Sequence, residues 1–343
     1  MRAAVVAGPQ RFEVHELDVP EVAPGGILVR VRNCGICGSD LHVYRAEIPA
    51  APGLRLGHEI AGEVAAVGEG VTALERGRRV AIEPIEVCRE CGFCRTGRYQ
   101  LCPERKLLGM MVPGGFAEFV HVPAYAVHPL PDTVDFEAGA LVEPLAVAVH
   151  GLRQVGLSVG ERVAIIGSGT IGLMSLVAAR AMGASDVFMT ARYPHQADAA
   201  RALGADVVVE AGDDGVGELA AAAGGRLPQV VVETVGGHGD TLNQAVTLAE
   251  PGGRVSVLGV FTAPVSLNAT LVVLKEVRLV GGITYGRPGS RSDFEVAIGI
   301  AARQHEVLRH LITHRVALTD IERGFALAAD KSQGSIKVLV EVS

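Results

Sequence analysis

The sequence predicts an α/β protein in two parts, a β-rich N-terminal part followed by a parallel sheet covered by helices. Up to about Val122, short β-branched runs alternate with Gly and Pro, which is typical of irregular β structure. From Gly160 onward, each short apolar run is followed by an Ala-rich helical segment. This second pattern indicates a βα series, and therefore a parallel sheet.

The individual elements follow from the same periodicities. The strands expected in the β-rich part are Val5–Ala7, Ile27–Val31, Ile60–Val67, Arg79–Ile82 and Phe116–Val120. The strands expected in the βα series are Val163–Ile166, Val187–Thr190, Val207–Val209, Val230–Val232 and Val255–Leu258. In the tail, amphipathic spacing predicts helices over Phe294–Ile312 and Leu318–Ala329 before a last strand, Ile336–Val340.

Composition excludes several classes of partner. The chain has 343 residues and a net charge of -7, with acidic and basic residues interspersed, so neither nucleic acid nor an anionic membrane is an expected partner. The N-terminus has no apolar run of signal-peptide length, and the apolar segment Leu267–Thr284 is interrupted by charges. We therefore expect a cytoplasmic protein without a membrane span, whose six cysteines stay reduced.

Four of the six cysteines lie close together in a short segment rich in Gly and Arg. They form the pattern C-x2-C-x2-C-x7-C, made by Cys88, Cys91, Cys94 and Cys102. Four thiolates close a tetrahedral zinc shell and leave no position for a substrate, so we predict a structural zinc site. Four unrelated buried cysteines, or a nucleic-acid-binding zinc ribbon, are the alternatives. A ribbon normally has two separated pairs and a basic face.

A second group of possible metal ligands is spread along the chain. Cys34 and Cys37 form a C-x2-C pair, His58 follows a glycine and precedes Glu59, and Glu143 lies in an apolar stretch. A buried carboxylate is costly unless it is paired or bound to metal. Three protein ligands of these types would leave a fourth zinc position open to water or substrate. A redox pair, or a small buried cysteine at Cys34, remains an alternative.

A glycine-rich loop begins the βα series. Gly167, Gly169 and Gly172 form G-x-G-x-x-G directly after the apolar strand, and the helix opens at Thr170-Ile171. In this context the motif predicts a dinucleotide site, with the pyrophosphate at the helix N-terminus. The alternative is a Gly-rich turn in some other α/β protein.

The end of the next strand predicts which dinucleotide binds. An NAD site has an acidic residue there for the ribose 2′-hydroxyl, whereas this strand ends in Ala191-Arg192-Tyr193. Arg192 could pair with a 2′-phosphate and Tyr193 could lie against the adenine, so we predict NADP(H). The alternative is that Arg192 is a solvated surface residue.

These motifs together resemble the zinc-dependent medium-chain alcohol dehydrogenases over essentially the whole chain. Residues Gly57 to Val71 fit that family's zinc signature, G-H-E-x2-G-x5-G-x2-V, and the four cysteines match its structural zinc lobe. Within the family, Glu143-Pro144 resembles the sorbitol, threonine and butanediol dehydrogenase branch. A hydroxyl-rich substrate is what this resemblance implies.

The resemblance also implies residue roles. Cys37, His58 and Glu143 would bind a catalytic zinc, with Glu59 beside the ion as an exchanging ligand or a contact through water. Asp40 would orient His58. By the family's spacing, Ser39 and His42 look like a proton relay, and Lys337 falls near the cofactor pyrophosphate. Two zinc ions per chain and one NADP(H) are therefore expected.

The domain organisation implied by the resemblance is a GroES-like β-barrel domain over residues 1–146, with the zinc lobe at 86–103. A Rossmann domain would follow over 147–281, and 282–343 would return to the first domain. The function implied is reversible hydride transfer between NADP(H) and a small-molecule alcohol or carbonyl, in a homodimer or homotetramer. By the same resemblance, the apolar segment from Ala269 to Val280 could pair edge to edge with its copy in a dimer. An NAD-dependent polyol or threonine-type dehydrogenase, a zinc-free quinone or enone reductase, and an NADP(H)-binding redox sensor without turnover are the alternatives.

Overall fold

The structure is a computed structural model that describes residues 1–212 and 215–342, which form two compact units. Unit 1 comprises residues 1–143 and 286–343, and unit 2 comprises residues 144–285. In the described part of the chain, no helix combines the length and the apolar character that crossing a membrane requires.

Unit 1 consists mainly of antiparallel β structure. Its strands are β1 (Arg2–Gly8), β2 (Arg11–Glu16), β3 (Gly26–Gly35), β4 (Glu59–Val67), β5 (Arg79–Ile82), β6 (Ile85–Glu86), β7 (Lys106–Leu107), β8 (Phe119–Pro123) and β9 (Val127–Pro129), and, in the tail, β16 (Ile312–Ala317) and β17 (Lys337–Glu341). The main sheet has the order β16-β17-β3-β4-β5-β9, and β8 pairs with β3. The hairpin β1-β2 and the short pair β6-β7 stand outside it.

The helices of unit 1 range from one turn, in α2, to 17 residues, in α10. They are α1 (Gly38–Tyr44), α2 (Gly92–Arg95), α3 (Phe136–Ala140), α10 (Asp293–Arg309) and α11 (Ile321–Ala329), and α4 (Val142–Gln154) begins at the end of the unit's first segment. Side-chain caps fix two of the helix starts. Asp135 accepts the Ala138 N–H at the start of α3, and Ser292 forms a capping box with Glu295 at the start of α10.

Unit 2 is a doubly wound parallel sheet. Its strands are β10 (Val163–Ile166), β11 (Val187–Ala191), β12 (Val207–Glu210), β13 (Val230–Glu233), β14 (Arg254–Val257) and β15 (Arg278–Gly281). Its helices after α4 are α5 (Thr170–Ala181), α6 (Pro194–Ala202), α7 (Gly215–Ala222), α8 (Thr241–Leu248) and α9 (Ala269–Lys275). The strand order in the sheet is β12-β11-β10-β13-β14-β15. From β10, the chain adds β11 and β12 on one side of the sheet, and then β13, β14 and β15 on the other side, so the order of strands reverses next to β10. At such a reversal, ligands bind at the carboxyl ends of the strands.

Burial explains why the apolar runs become strands here. Every residue of β10 and β13 is buried, as expected for parallel strands covered on both faces. The predicted α/β class with a βα series is confirmed. Two details differ from the expectation. The strand expected at Phe116–Val120 forms at Phe119–Pro123, and the helix expected to reach Ile312 ends at Arg309, after which β16 begins.

Candidate functional site

The four clustered cysteines converge on one point in unit 1. Their sulfur atoms all lie within 4.8 Å of one another, with Cys88 Sγ 3.8 Å from Cys94 Sγ and 3.5 Å from Cys102 Sγ. Four thiolates about 2.3 Å from one zinc ion would lie roughly 3.8 Å apart, so the donor set and its spacing fit zinc. All four tetrahedral positions would then be filled by protein, which is the arrangement of a structural site.

Backbone N–H groups donate hydrogen bonds to the thiols of this lobe. The Cys91 thiol accepts the Cys94 N–H at the start of α2. Backbone N–H groups of Cys91 and Glu90 lower the pKa of Cys88 to about 7, whereas burial raises the pKa of Cys94 to about 12. Cys88 is therefore more ready than Cys94 to offer the thiolate that metal binding requires.

The lobe is anchored to the rest of unit 1 by polar contacts. The Tyr99 hydroxyl donates to the buried Glu83 carboxylate at 2.5 Å, and His128 Nε2 contacts the other Glu83 oxygen at 2.8 Å. The Arg287 N–H donates to the Gly97 carbonyl at 2.7 Å. A cavity of about 580 Å³ lies beside these residues, and neither Cys37 nor His58 lines it.

The expected catalytic ligands lie at the starts of three elements of unit 1. Cys37 precedes α1, His58 precedes β4, and Glu143 is in the first turn of α4. His58 and Glu143 are both buried. Within residues 1–212 and 215–342, the ligand atoms of this three-residue set are not all within 4.8 Å of one another, so the set is less tightly assembled than the four cysteines.

The charges around His58 nevertheless favour a cation. Burial alone would lower the pKa of the His58 imidazole, but Asp40, Cys37 and Glu143 outweigh burial and raise this pKa well above its usual range. His58 Nδ1 is buried without a hydrogen-bond partner in the described part of the chain, 3.6 Å from Asp40 Oδ1. With Asp40 beside Nδ1, the other ring nitrogen, Nε2, is the one that could bind a metal, and the three acidic groups around the ring fit a divalent cation such as zinc.

Asp40 holds this region together. Its buried carboxylate accepts the N–H of Cys37 at 2.9 Å and that of Gly57 at 3.4 Å. Burial raises the pKa of Asp40, and His58 together with the Cys37 N–H acts in the opposite direction. Asp40 thus ties the residue before α1 to the residue before His58, next to the imidazole it was expected to orient.

The two residues expected to relay protons are both on α1. Ser39 Oγ lies 3.4 Å from His58 Nε2. His42 Nδ1 forms a short contact with the Glu47 carboxylate. The structure therefore places Ser39 at the imidazole, and His42 faces an acidic partner.

Glu59 and Lys337 form a buried ion pair. Lys337 Nζ donates to both Glu59 carboxylate oxygens at 2.7 Å and to the Ile36 carbonyl at 2.9 Å. Burial would lower the pKa of Lys337, but Glu59, Cys37 and Glu143 raise it above its usual value. The three donors of this ammonium are thus all engaged within unit 1. The roles expected of Glu59 at the zinc and of Lys337 at a pyrophosphate stay predictions.

The glycine loop of unit 2 has the geometry of a phosphate cradle. A Cβ on Gly172 would lie 2.0 Å from the Gly167 carbonyl oxygen, so only glycine lets α5 pack this closely against the loop. A Cβ on Gly169 would meet nothing within 4 Å. Gly169 is the residue before α5 and supplies no side-chain cap, so the backbone is open to close approach by a ligand at this helix N-terminus. These features fit an anionic pyrophosphate at this position.

The end of β11 places Arg192 beside a concavity of about 270 Å³. Its guanidinium carbon lies 5.7 Å from the Tyr193 ring centroid. The structure adds two acidic groups that the sequence analysis did not place here, Glu210 and Asp198, of which Asp198 forms an ion pair with Arg201. Glu210, on β12, pairs in register with Ala191 and also lines the concavity. A negative charge at this corner acts against a bound 2′-phosphate, so Arg192 would have to outweigh it.

The structure also places Glu233 and Thr234 at the carboxyl ends of the parallel strands of unit 2. Both follow the apolar run Val230–Val232, and Thr234 Oγ1 donates to the Ile166 carbonyl at 2.8 Å, next to the glycine loop. Sequence analysis missed them. The available signal was an acidic residue directly after a fully apolar strand in a βα series, at the edge where ligands bind.

Comparisons with known proteins show which families this chain is similar to. The family model for the alcohol dehydrogenase GroES-like domain matches residues 23–132, and the model for zinc-binding dehydrogenases matches residues 170–303. The sorbitol dehydrogenase of Bombyx mori is 33% identical, over 99% of this chain and 98% of that protein.

Two solved structures illustrate the range of similar folds. A zinc-binding dehydrogenase from Sinorhizobium meliloti 1021 bound to NADP is 32% identical, with a TM-score of 0.87 over 99% of this chain and 98% of that chain. An alcohol dehydrogenase from E. coli CFT073 complexed with NADH is 27% identical, with a TM-score of 0.91 over 99% of both chains.

Proposed function

Because the chain belongs to the zinc-dependent medium-chain alcohol dehydrogenase family, we propose that it transfers a hydride between NADP(H) and a secondary alcohol or ketone. The predicted resemblance and the GroES-like and Rossmann domains are confirmed. The observation that carries the proposed reaction is the buried His58 imidazole, whose pKa is raised by Asp40, Cys37 and Glu143 around it.

Cys37, His58 and Glu143 would hold the catalytic zinc, and Asp40 would keep the His58 ring in place. When bound, zinc supplies a Lewis acid that stabilises negative charge on a substrate oxygen, and the nicotinamide supplies or accepts the hydride. The protein contributes a buried, anionic setting in which the cation is strongly held. The four-cysteine lobe would hold a second zinc with a structural role.

Ser39 and His42 would manage the proton of the substrate hydroxyl. Ser39 Oγ lies next to the His58 imidazole, so it is placed near the expected zinc. His42, on the same short helix, contacts the Glu47 carboxylate. These two residues would carry a proton between substrate and solvent while the hydride moves.

Arg192 supports NADP(H) over NAD(H) as the cofactor. It is at the end of the second strand of the βα series, where it could form a bidentate pair with a 2′-phosphate. Glu210 lowers this advantage because its charge lies at the same concavity. Similar structures include both an NADP complex and an NADH complex, so the argument rests on Arg192.

The substrate class we propose is a polyol, a diol or a sugar-like ketone. The support is the Glu143-Pro144 pair, which this chain's sequence has in common with the sorbitol dehydrogenase branch by resemblance, and a relative named sorbitol dehydrogenase. Reduction of a ketone or aldehyde is the preferred direction, because NADPH is the usual cellular reductant.

We also propose that the chain is a homodimer or homotetramer. The strand β15 lies at the edge of the unit 2 sheet, and the helix α9 before it has no buried residue. An open sheet edge flanked by apolar side chains is suited to pairing with a second copy.

The test combines elemental analysis with cofactor titration. We expect two zinc ions per chain, and NADPH binding more tightly than NADH. Arg192→Ala should weaken NADPH binding about 10- to 100-fold with little effect on NADH, since a charged hydrogen bond contributes about 1.5–3 kcal/mol. Glu210→Gln should act in the opposite direction and tighten NADPH binding. Arg226→Ala, an exposed arginine at the other end of the sheet, is the control.

The outcomes separate the alternatives. Tighter NADH binding in the wild type would replace the proposal with an NAD-dependent polyol or threonine-type dehydrogenase. One zinc ion per chain would favour the zinc-free reductase. Tight NADPH binding without turnover over a broad panel of polyols and ketones would favour the redox sensor.

A further inference from the structure

Glu233 is a buried carboxylate to which the proposed reaction assigns no role. It is the last residue of β13 and lies between Ile166 of β10 and Val257 of β14 in the sheet register. Its side chain is fully buried. This position is at the carboxyl ends of the parallel strands, next to the point where the strand order reverses and a dinucleotide is expected.

One oxygen of this carboxylate collects three hydrogen bonds from the loop that follows β13. Glu233 Oε1 accepts the N–H of Val235 at 2.8 Å, the N–H of Gly236 at 2.9 Å and the hydroxyl of Thr241 at 2.8 Å. Thr241 is the first residue of α8. A single side-chain atom therefore joins both ends of the loop 234–241.

The other oxygen lies against the loop that follows β14. Glu233 Oε2 is buried without a hydrogen-bond partner in the described part of the chain, and a Cβ on Gly259 would lie 2.3 Å from it. The Gly259 N–H donates to the Glu233 carbonyl at 3.1 Å. A buried acceptor without a donor is costly, so this geometry is held in place by the three bonds on Oε1.

The two loops are also packed directly on each other. The Gly237 N–H donates to the Val260 carbonyl at 2.8 Å. Gly236 has a φ of +61°, and a Cβ there would lie 2.4 Å from Val260 O. No side chain fits between the loops, so the placement of one fixes the placement of the other.

Each loop presents an exposed apolar side chain. Val235 is 51% exposed and Val260 is 63% exposed, although both follow strands whose residues are mostly buried. Val235 Cγ2 would also lie 2.7 Å from a Cβ on Gly167, the first glycine of the phosphate loop. The segment that Glu233 holds therefore reaches from the glycine loop to Val260.

We infer that Glu233 is a positioning residue for the dinucleotide. Its carboxylate holds the loops after β13 and β14 together, and this places the exposed side chains of Val235 and Val260 beside the glycine loop. This inference rests on the proposed function only in naming a nicotinamide dinucleotide as the ligand. A flat, weakly polar ring such as nicotinamide or its dihydro form is the chemistry that two exposed valines would contact.

The first experiment measures, without cofactor, how firmly Glu233 holds the two loops. Hydrogen exchange of peptides covering 234–241 and 258–260 is compared in the wild type, Glu233→Ala, Glu233→Gln and Thr241→Val. We expect exchange at least 10-fold faster in Glu233→Ala, and an intermediate change in Thr241→Val, which removes one of three donors. Glu250→Gln is the matched control. Glu250 accepts a hydrogen bond from the Gln229 side chain at the opposite end of the sheet, where β13 and β14 begin.

The second experiment measures dinucleotide binding by the same variants. We expect the Kd of NADPH and that of NADH to rise by a similar factor of about 10 or more in Glu233→Ala, with KM for cofactor rising and kcat changing less than threefold. Glu233→Gln, which keeps an oxygen acceptor, should restore part of the affinity.

Unchanged exchange and unchanged Kd in folded Glu233→Ala or Glu233→Gln would overturn the inference. If Glu233→Ala does not fold, the Gln and Val variants decide. If the wild type binds neither dinucleotide, the proposed function fails, and the exchange experiment still decides whether Glu233 holds the loops.

Discussion

Lys331 illustrates how a single charge can act against the fold. It lies in the short 3₁₀ segment Lys331–Gln333 before β17. Burial, and then the nearby charges of Lys337 and Arg45, lower the pKa of Lys331 to about 8, from its usual value of 10.5. The unfolded chain therefore binds a proton more tightly than the folded protein between about pH 8 and pH 10.5, so the charge of Lys331 destabilises the fold at neutral pH.

We predict that Lys331→Met stabilises the protein at pH 7 by about 1–2 kcal/mol, a value reduced from the full shift because the side chain is partly solvated. In the wild type, stability should rise with pH through this interval, so the difference between variant and wild type should shrink as the pH approaches 10. Urea unfolding at pH 7 and pH 10 measures both effects. Lys106→Met, at an exposed position, is the control. An advantage that does not depend on pH would contradict the electrostatic explanation.

Single residues were predictable from sequence where spacing alone carries the chemistry. The four cysteines of the zinc lobe fall within 15 residues, and their sulfurs meet as expected. Contacts between distant residues were not predictable. The ion pair of Lys337 with Glu59 joins residues 278 positions apart, and no local pattern indicates which acid a buried lysine will meet. Likewise, Glu210 lines the same concavity as Arg192 only because β11 pairs with β12.

At the scale of the element, the junction of β10 and α5 depends on two glycines for different reasons. Gly169 faces open space and has an ordinary φ of -74°, so its Cβ would not disturb the fold. Gly172 lies against the Gly167 carbonyl, and a Cβ there would force α5 away from the loop. The first position affects only a ligand, and the second affects the protein itself.

We therefore expect alanine at Gly169 to affect mainly cofactor binding, and alanine at Gly172 to affect mainly the stability of the protein. Gly169→Ala should lower stability by no more than about 1 kcal/mol, the cost of a poorer helix cap, while weakening the binding of NADPH and NADH alike. Gly172→Ala should lower stability by about 1–3 kcal/mol, the range for overpacking. Denaturant unfolding and cofactor titration of each variant provide the comparison. Normal cofactor affinity in Gly169→Ala would place the pyrophosphate elsewhere.

The βα series was predictable because its central strands β10, β11 and β13 are fully buried and form continuous apolar runs in the sequence. The strand β16 was not. Its buried residues Ile312 and Val316 are four positions apart, a spacing that fits a helix as well as a strand, and they follow directly on the amphipathic helix α10. Parallel pairing with β17, more than twenty residues later, is what makes this segment a strand.

At the scale of the whole molecule, the surface of unit 2 indicates how copies of the chain would associate. The strand β15 pairs with β14 and lies at the end of the sheet. The helix α9, directly before it, exposes Val273 to 72% and Leu274 to 76%. The sequence analysis expected one apolar segment from Ala269 to Val280 to pair edge to edge. The structure divides this segment into a helix and a short strand, so the apolar contact and the strand pairing would come from different elements.

We predict that the wild type sediments as a dimer or tetramer at micromolar concentration, and that the double variant Val273→Asp with Leu274→Asp shifts it toward monomer. Both side chains are exposed, so the substitutions should leave the unfolding midpoint of the isolated chain nearly unchanged, while two charges per copy would have to be buried without partners in the interface. Sedimentation velocity over a dilution series measures the shift. Val159→Asp, at a position 84% exposed elsewhere on unit 2, is the control and should not change the distribution. A monomeric wild type would remove the proposed assembly, and an oligomer that survives the double variant would place the interface away from α9.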